Sequence, residues 1–205
     1  MPEPINLVAL VSGGGTTLQN LIDRVAAGTL GARIAGVVAS RADALGITRA
    51  ERAGLPVAVV PAHPRRATFA ADVWAAVRAR SPDLVCFTGW LHLLPIPTDF
   101  RHRVLNIHPS LLPAFGGKGM YGRHVHEAVL AYGARVTGCT VHFADDTYDT
   151  GPILVQKCVP VGADDTPDAL AARVFRAECE AYPEAINLIA EGRVTVQGRR
   201  VVITG

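Results

Sequence analysis

The feature that most restricts the fold is an alternation of apolar runs with helical patterns along the first half of the chain. Ile5–Val11 (INLVALV) is continuously apolar, as a strand covered on both faces must be, and it leads through Ser12-Gly13-Gly14-Gly15-Thr16-Thr17 into helical spacing at Leu18, Leu21, Ile22 and Val25. Further strands are predicted at 33–40 (RIAGVVAS), 57–60 and 83–88 (DLVCFT), with helices at 44–53 and 67–80 between them. Strands separated by helices need crossover connections, which makes the sheet mostly parallel. The expected class is therefore α/β, with a doubly wound, mostly parallel sheet. Val136–Phe143 and 153–161 have no helix between them and read as antiparallel strands extending that sheet. A helix at 166–182 follows, with Thr166 as its cap and Pro167 at its first position, and strands at 194–196 and 200–203 form a small terminal hairpin.

At 205 residues the chain can bury a sizeable core, and although 49% of it is hydrophobic, no run approaches a membrane span. The start MPEPINLVALVSGGG has no charged leader or small-residue cleavage site, so a cytoplasmic protein with no membrane partner is expected. A formal net charge of +2 with no basic tract leaves nucleic-acid binding unsupported. Cys86, Cys139, Cys158 and Cys179 have no metal-ligand spacing, and three of them fall in strand-like runs where small buried hydrophobes are expected.

Ligands of such sheets bind beyond the carboxyl ends of the strands, where residues 13–17, 89–94 and 106–108 all fall. Amides at a helix start lack intrahelical partners and attract anions, so the glycine loop suits a phosphate. It has no Gly-Lys-Ser/Thr, and Leu18 stands where a dinucleotide fingerprint needs glycine. The segment Asn106-Ile107-His108-Pro109-Ser110-Leu111-Leu112-Pro113 leaves an apolar strand for a loop. Pro109 keeps His108 extended, so Asn106 and His108 share a face and pair an amide donor with an imidazole. Downstream, Asp149-Thr150-Gly151-Pro152 brings a carboxylate on a turn, and a carboxylate beside an imidazole orients it and raises its pKa. Asn, His and Asp together make an acyl-transfer site without a Ser or Cys nucleophile.

Asn106, His108, the following SLLP and Asp149 within DDTYDTGP resemble the folate-dependent formyltransferases, over a span from Val8 to about Ile189. The resemblance is nearest to the branch that formylates glycinamide ribonucleotide in purine biosynthesis. It implies a Rossmann-like formyltransferase fold: one domain over 1–205, with a phosphate-binding half at 1–100, a catalytic and folate-binding half at 101–190 and the hairpin at 191–205. It implies catalysis by Asn106, His108 and Asp149, and binding of the ribonucleotide by Gly15, Thr16, Thr17, Asn106 and Glu178. It also implies that 10-formyltetrahydrofolate, as co-substrate, meets Arg66, Leu91, His92, Leu93, Leu94, Asp145 and Asp149, with no particular task for the His92 side chain. Small-molecule partners, no metal, and a monomer or homodimer are expected. His126 matches a family histidine near the substrate, and the four glycines of Gly116-Gly117-Lys118-Gly119-Met120-Tyr121-Gly122 suggest a loop over the site.

Rival readings stay in view. His108, His124, His126, His142 and Asp145 invite a metal, but His124 and His126 lie two apart on a predicted helix and cannot face one ion together. A formyltransferase acting on methionyl-tRNA would bring a further C-terminal domain, and a formyltetrahydrofolate hydrolase an extra N-terminal one. A non-catalytic nucleotide-binding module on the same sheet is the alternative of a different class.

Overall fold

The computed structural model describes residues 3–62 and 67–205. Strands β1 (Ile5–Val11), β2 (Ala32–Ala39), β3 (Val57–Val59), β4 (Leu84–Phe87), β5 (Val104–His108), β6 (Val136–Phe143) and β7 (Ile153–Pro160) form one sheet in the order β3-β2-β1-β4-β5-β6-β7. The strands β1 to β5 are parallel, and β6 and β7 are antiparallel additions. Helices α1 (Thr16–Ala26), α2 (Leu45–Arg52), α3 (Phe69–Arg78), α4 (Arg123–Tyr132) and α5 (Pro167–Ala190) cover it, and β8 (Val194–Gln197) pairs with β9 (Arg200–Ile203) as a separate hairpin.

The alternation of side chains along β1 explains why its sequence is apolar throughout. Leu7, Ala9 and Val11 enter a core shared with α1, α2, α4 and α5, whereas Val8 and Leu10 enter a second core with Val73, Trp74 and Val77 of α3. The chain winds outward from β1 to β3 and then returns to β4 on the other side of β1, so the strand order reverses between β1 and β4. Loops leaving two strands at such a switch point diverge and open a crevice. Here Ser12 bridges them: its N–H donates to the Gly89 carbonyl at 3.1 Å, and its Oγ accepts from the Leu91 N–H at 3.1 Å.

Two expectations are corrected. The last long helix does not end at Tyr182 but continues through Pro183 to Ala190. Proline removes one helical hydrogen bond, yet Tyr182, Ala185 and Ile186 are wholly buried around it, and that packing keeps the helix going. The Tyr182 hydroxyl also lies 3.0 Å from both the Phe87 and Leu105 carbonyls, pinning α5 to β4 and β5. Cys158 is exposed rather than buried, because it falls on an outward position of β7, while Cys86 and Cys139 are buried as expected. Among the described residues no helix is long and apolar enough to cross a membrane.

Candidate active site

The carboxyl ends of β4 and β5 open into a cleft of about 630 Å³. Its floor is set by β5, whose extended backbone presents Asn106 and His108 two residues apart. The antiparallel neighbour β6 places His142 directly opposite Asn106 in the register. The turn after β6 then brings Asp149 back over the same spot. This turn is tight: a Cβ on Gly151 would lie 1.8 Å from the Phe143 carbonyl oxygen, so only glycine fits there. Asp149 itself has φ of 57°, a left-handed conformation that aspartate tolerates better than most residues.

Four groups converge on the Asp149 carboxylate. The Asn106 amide donates to Oδ1 at 3.3 Å and the Gly117 N–H donates to Oδ2 at 2.9 Å, while His108 Nδ1 stands 3.4 Å from Oδ2 and His142 Nε2 3.6 Å from Oδ1. Burial pushes the Asp149 carboxyl up, but the facing His142 ring, the proximity of His108 and the Gly117 N–H together bring it below its ordinary value. It is ionised at neutral pH.

His108 differs from the sequence expectation. Burial pulls its pKa below the ordinary histidine value, and the opposing pull of Asp149 and of the Phe115 carbonyl does not overcome it. Asp149 does raise the pKa of this ring, as expected of a neighbouring carboxylate, but desolvation penalises the cation more than the carboxylate favours it. The surroundings nonetheless suit a second proton: Nε2 is 2.8 Å from the Phe115 carbonyl and Nδ1 faces Asp149, so both ring nitrogens have acceptors. Asn106 shares its amide nitrogen between Asp149 and His142 Nε2, the latter at 3.1 Å, and the other nitrogen of His142 lies 3.0 Å from the Phe143 carbonyl.

Solved structures share this arrangement of strands. The model of the family described as formyl transferase matches residues 5–186. The chain belongs to the formyl transferase family. Similar solved structures include glycinamide ribonucleotide transformylase 1 from Symbiobacterium toebii, 42% identical with a TM-score of 0.92, covering 100% of this chain and 96% of that one. Among curated relatives, the phosphoribosylglycinamide formyltransferase of Escherichia coli is 33% identical over 98% of this chain and 94% of its own length. The chloroplastic phosphoribosylglycinamide formyltransferase of Arabidopsis thaliana is 39% identical over 94% of this chain, which spans 68% of that longer protein. A similar protein from Vigna unguiculata is spanned to 62%.

Within this formyl transferase, the residues singled out in the sequence fall into three groups. Asn106, His108, Asp149, Asp145, Glu178, Thr17, Leu91, His92, Leu93 and Leu94 all line the one cleft. Gly15 and Thr16 do not: Gly15 is buried against Gly46 of α2, and Thr16 is exposed outside the cleft lining. Arg66 lies outside the described residues. Asp145 is engaged within its own turn, accepting from the Thr147 N–H at 3.1 Å and the Thr150 hydroxyl at 2.8 Å. On the apolar wall two backbone donors are already taken: Leu91 N–H by Ser12, and Leu93 N–H by the Tyr148 hydroxyl at 2.9 Å. Glu178, on α5, has its carboxyl pushed up to about 7 by burial alone. Among the described residues no cluster of three or more His, Cys, Asp or Glu side chains is arranged to hold a metal.

Sequence reasoning named His142 only as a candidate metal ligand, not as a neighbour of Asn106 and Asp149, and it passed over the bracing of the glycine loop. Gly46 N–H donates to the Gly13 carbonyl at 3.0 Å and Arg49 Nε to the Gly14 carbonyl at 2.8 Å. Because a trans peptide points its carbonyl and following N–H in opposite directions, α2 thereby turns the Gly14 and Gly15 N–H groups away from itself. A Cβ on Gly15 would lie 2.6 Å from Gly46 Cα, so two glycines are needed where loop and helix meet.

Proposed function

We propose that this chain moves the formyl group of 10-formyltetrahydrofolate to the amine of glycinamide ribonucleotide. The observation that carries the reading is the Asn106–His108–Asp149 cluster at the floor of a cleft large enough for both substrates. The relatives named for this reaction support it, since they match nearly the whole chain.

In the proposed reaction the neutral amine attacks the formyl carbon and forms the new C–N bond, while negative charge collects on the former carbonyl oxygen. Asn106 and His108 stabilise that oxygen; the loss of one such donor costs roughly 100-fold to 1000-fold in rate. Asn106 must first release its nitrogen from Asp149 or His142. His108 takes a second proton from solvent as the oxyanion builds, and it too must turn one N–H from the Phe115 carbonyl or Asp149 toward that oxygen. The ionised Asp149 accepts the proton leaving the amine, directly or through water, and the same proton is passed through water to the folate nitrogen as its bond to the formyl carbon breaks. The ribonucleotide lies toward Thr17 and Glu178, with its phosphate on the amides of the glycine loop. The pteridine packs on the wall of Leu91, His92, Leu93 and Leu94.

The test is an absorbance assay of folate product with and without the ribonucleotide. Product that depends on the amine supports the reading. Product formed at the same rate without it would make the protein a hydrolase, a reading with some footing in a similar formyltetrahydrofolate deformylase structure from Pseudomonas syringae, 25% identical with a TM-score of 0.88.

A further inference from the structure

Besides Asn106 and His142, the strands at the cleft floor carry a second row of polar side chains. In the register His108 of β5 stands opposite Thr140 of β6, and Thr140 stands opposite Gln156 of β7. Thr140 and Ser110 are wholly buried, and neither they nor Gln156 line the cleft. Their hydrogen bonds nonetheless form a closed set. A hydroxyl has one donor and two acceptor positions, and Thr140 Oγ1 uses all three: it donates to the Ser110 carbonyl at 2.7 Å and accepts from the Leu112 N–H and Gln156 Nε2, each at 3.0 Å. The Gln156 amide gives its other N–H to the Leu112 carbonyl at 3.0 Å, and Ser110 Oγ donates to the Ala114 carbonyl at 2.6 Å.

What these side chains grip is the backbone of the turn that follows β5. A buried backbone group left without a partner is costly, so the partners supplied by β6 and β7 fix the path of residues 110–114. The chain then delivers two backbone groups to the site. The Phe115 carbonyl lies 2.8 Å from His108 Nε2, and the Gly117 N–H donates to Asp149 Oδ2 at 2.9 Å. The Leu112 side chain reaches the same place. Gly116 lies between it and Asp149, since a Cβ there would be 2.5 Å from Leu112 Cδ2 and 3.3 Å from Asp149 Cβ.

We propose that Thr140 and Gln156 are positioning residues for formyl transfer: by clamping the 110–114 turn they set the Phe115 carbonyl and the Gly117 N–H, which orient His108 and Asp149. The kinetic part of the inference rests on the proposed function. Neither side chain lines the cleft, so their loss changes where the reacting groups stand and leaves the surfaces that bind the substrates in place. A displacement of about 1 Å, caused by a change far from the chemistry, costs on the order of 100-fold in rate.

The experiment compares the full wild-type chain with Gln156→Met, which keeps the length and loses the N–H groups, Thr140→Val, which keeps the shape and loses the hydroxyl, and Thr140→Ser, which keeps the hydroxyl. Two readouts are taken: steady-state kinetics with glycinamide ribonucleotide and 10-formyltetrahydrofolate, and nitrogen NMR spectra of the ligand-free protein labelled at histidine, with the His108 signal assigned by its loss in His108→Gln. The Met and Val variants are expected to lower kcat about 10-fold to 100-fold while both KM values stay within about 3-fold, and Ser should keep kcat within about 3-fold of wild type. The His108 Nε2 resonance should move in Met and Val, as its bond to the Phe115 carbonyl is disturbed, and stay in place in Ser. Melting temperatures report on the fold. Thr140 is buried, so if the Val variant does not fold, Gln156→Met on the exposed side of β7 carries the test. An unchanged kcat in the folded Met variant, KM values rising at constant kcat, no return of kcat with Ser, or an unmoved His108 signal overturns the proposal. If wild type transfers no formyl group to the ribonucleotide, the functional reading falls, and the His108 spectra still decide whether the clamp holds that ring.

Discussion

Glu178→Gln should make the ligand-free protein more stable at alkaline pH. Burial alone lifts the Glu178 carboxyl from 4.5 to about 7, which means that the folded protein resists ionising it. In the unfolded chain the group ionises near 4.5, so between those values the folded state binds more protons and stability declines as pH rises. The contribution is present in full below pH 4.5 and is lost as pH passes through 7. A shift of this size corresponds to roughly 3 kcal/mol at about 1.36 kcal/mol per unit, and because the side chain lies at a cleft that water can enter, that is a ceiling. Glutamine has the same shape and no charge. The variant should match wild type at pH 4.5 and exceed it at pH 9 by up to about 3 kcal/mol, or about 6–12 °C in melting temperature for a chain of this length. Thermal unfolding of both proteins across that range, without ligand, tests the reasoning. Parallel melting curves at every pH would refute it, since they would mean that the carboxylate is already solvated or paired in the folded state. The same substitution should weaken ribonucleotide binding, the usual cost of relieving a strained functional group.

Two further outcomes follow from the packing. Gly151→Ala forces a Cβ into the Phe143 carbonyl, 1.8 Å away, so the Asp149 turn must shift; a loss of about 1–3 kcal/mol in denaturant unfolding and a large fall in formyl transfer are expected together. Tyr182→Phe leaves two buried carbonyls, each 3.0 Å from the lost hydroxyl, without that partner, and should cost about 1–3 kcal/mol in the same assay.

What could be read from the sequence, and what could not, divides along physical lines. The parallel sheet was legible because continuous apolar runs such as Ile5–Val11 and the helical spacing between them are local patterns. Asn106 and His108 could be paired because a strand's period places them on one face. The end of α5 was hidden because Pro183 is a local stop signal, while the burial of Tyr182, Ala185 and Ile186 that overrides it is tertiary. His142 was hidden for a similar reason. Its position opposite Asn106 is a matter of register between β5 and β6, which no spacing along the chain reveals, although a histidine inside an apolar strand next to the Asp149 turn was the available clue. The Gly117 N–H and the Phe115 carbonyl belong to the backbone and have no signature in side-chain identity. The balance at His108 was misjudged because proximity to a carboxylate can be inferred from a motif, whereas the depth of burial cannot.

The account depends most on Asp149 as the group that takes the proton from the attacking amine. Single-turnover transfer from radiolabelled formyl folate to glycinamide ribonucleotide, measured for wild type and for Asp149→Asn, tests this directly. Asparagine keeps the shape and its one acceptor oxygen can still meet either the Asn106 amide or the Gly117 N–H, but it cannot accept that proton. The variant should bind the ribonucleotide within a few-fold of wild type and transfer its formyl group at least about 100-fold more slowly. Transfer at the wild-type rate would contradict the account.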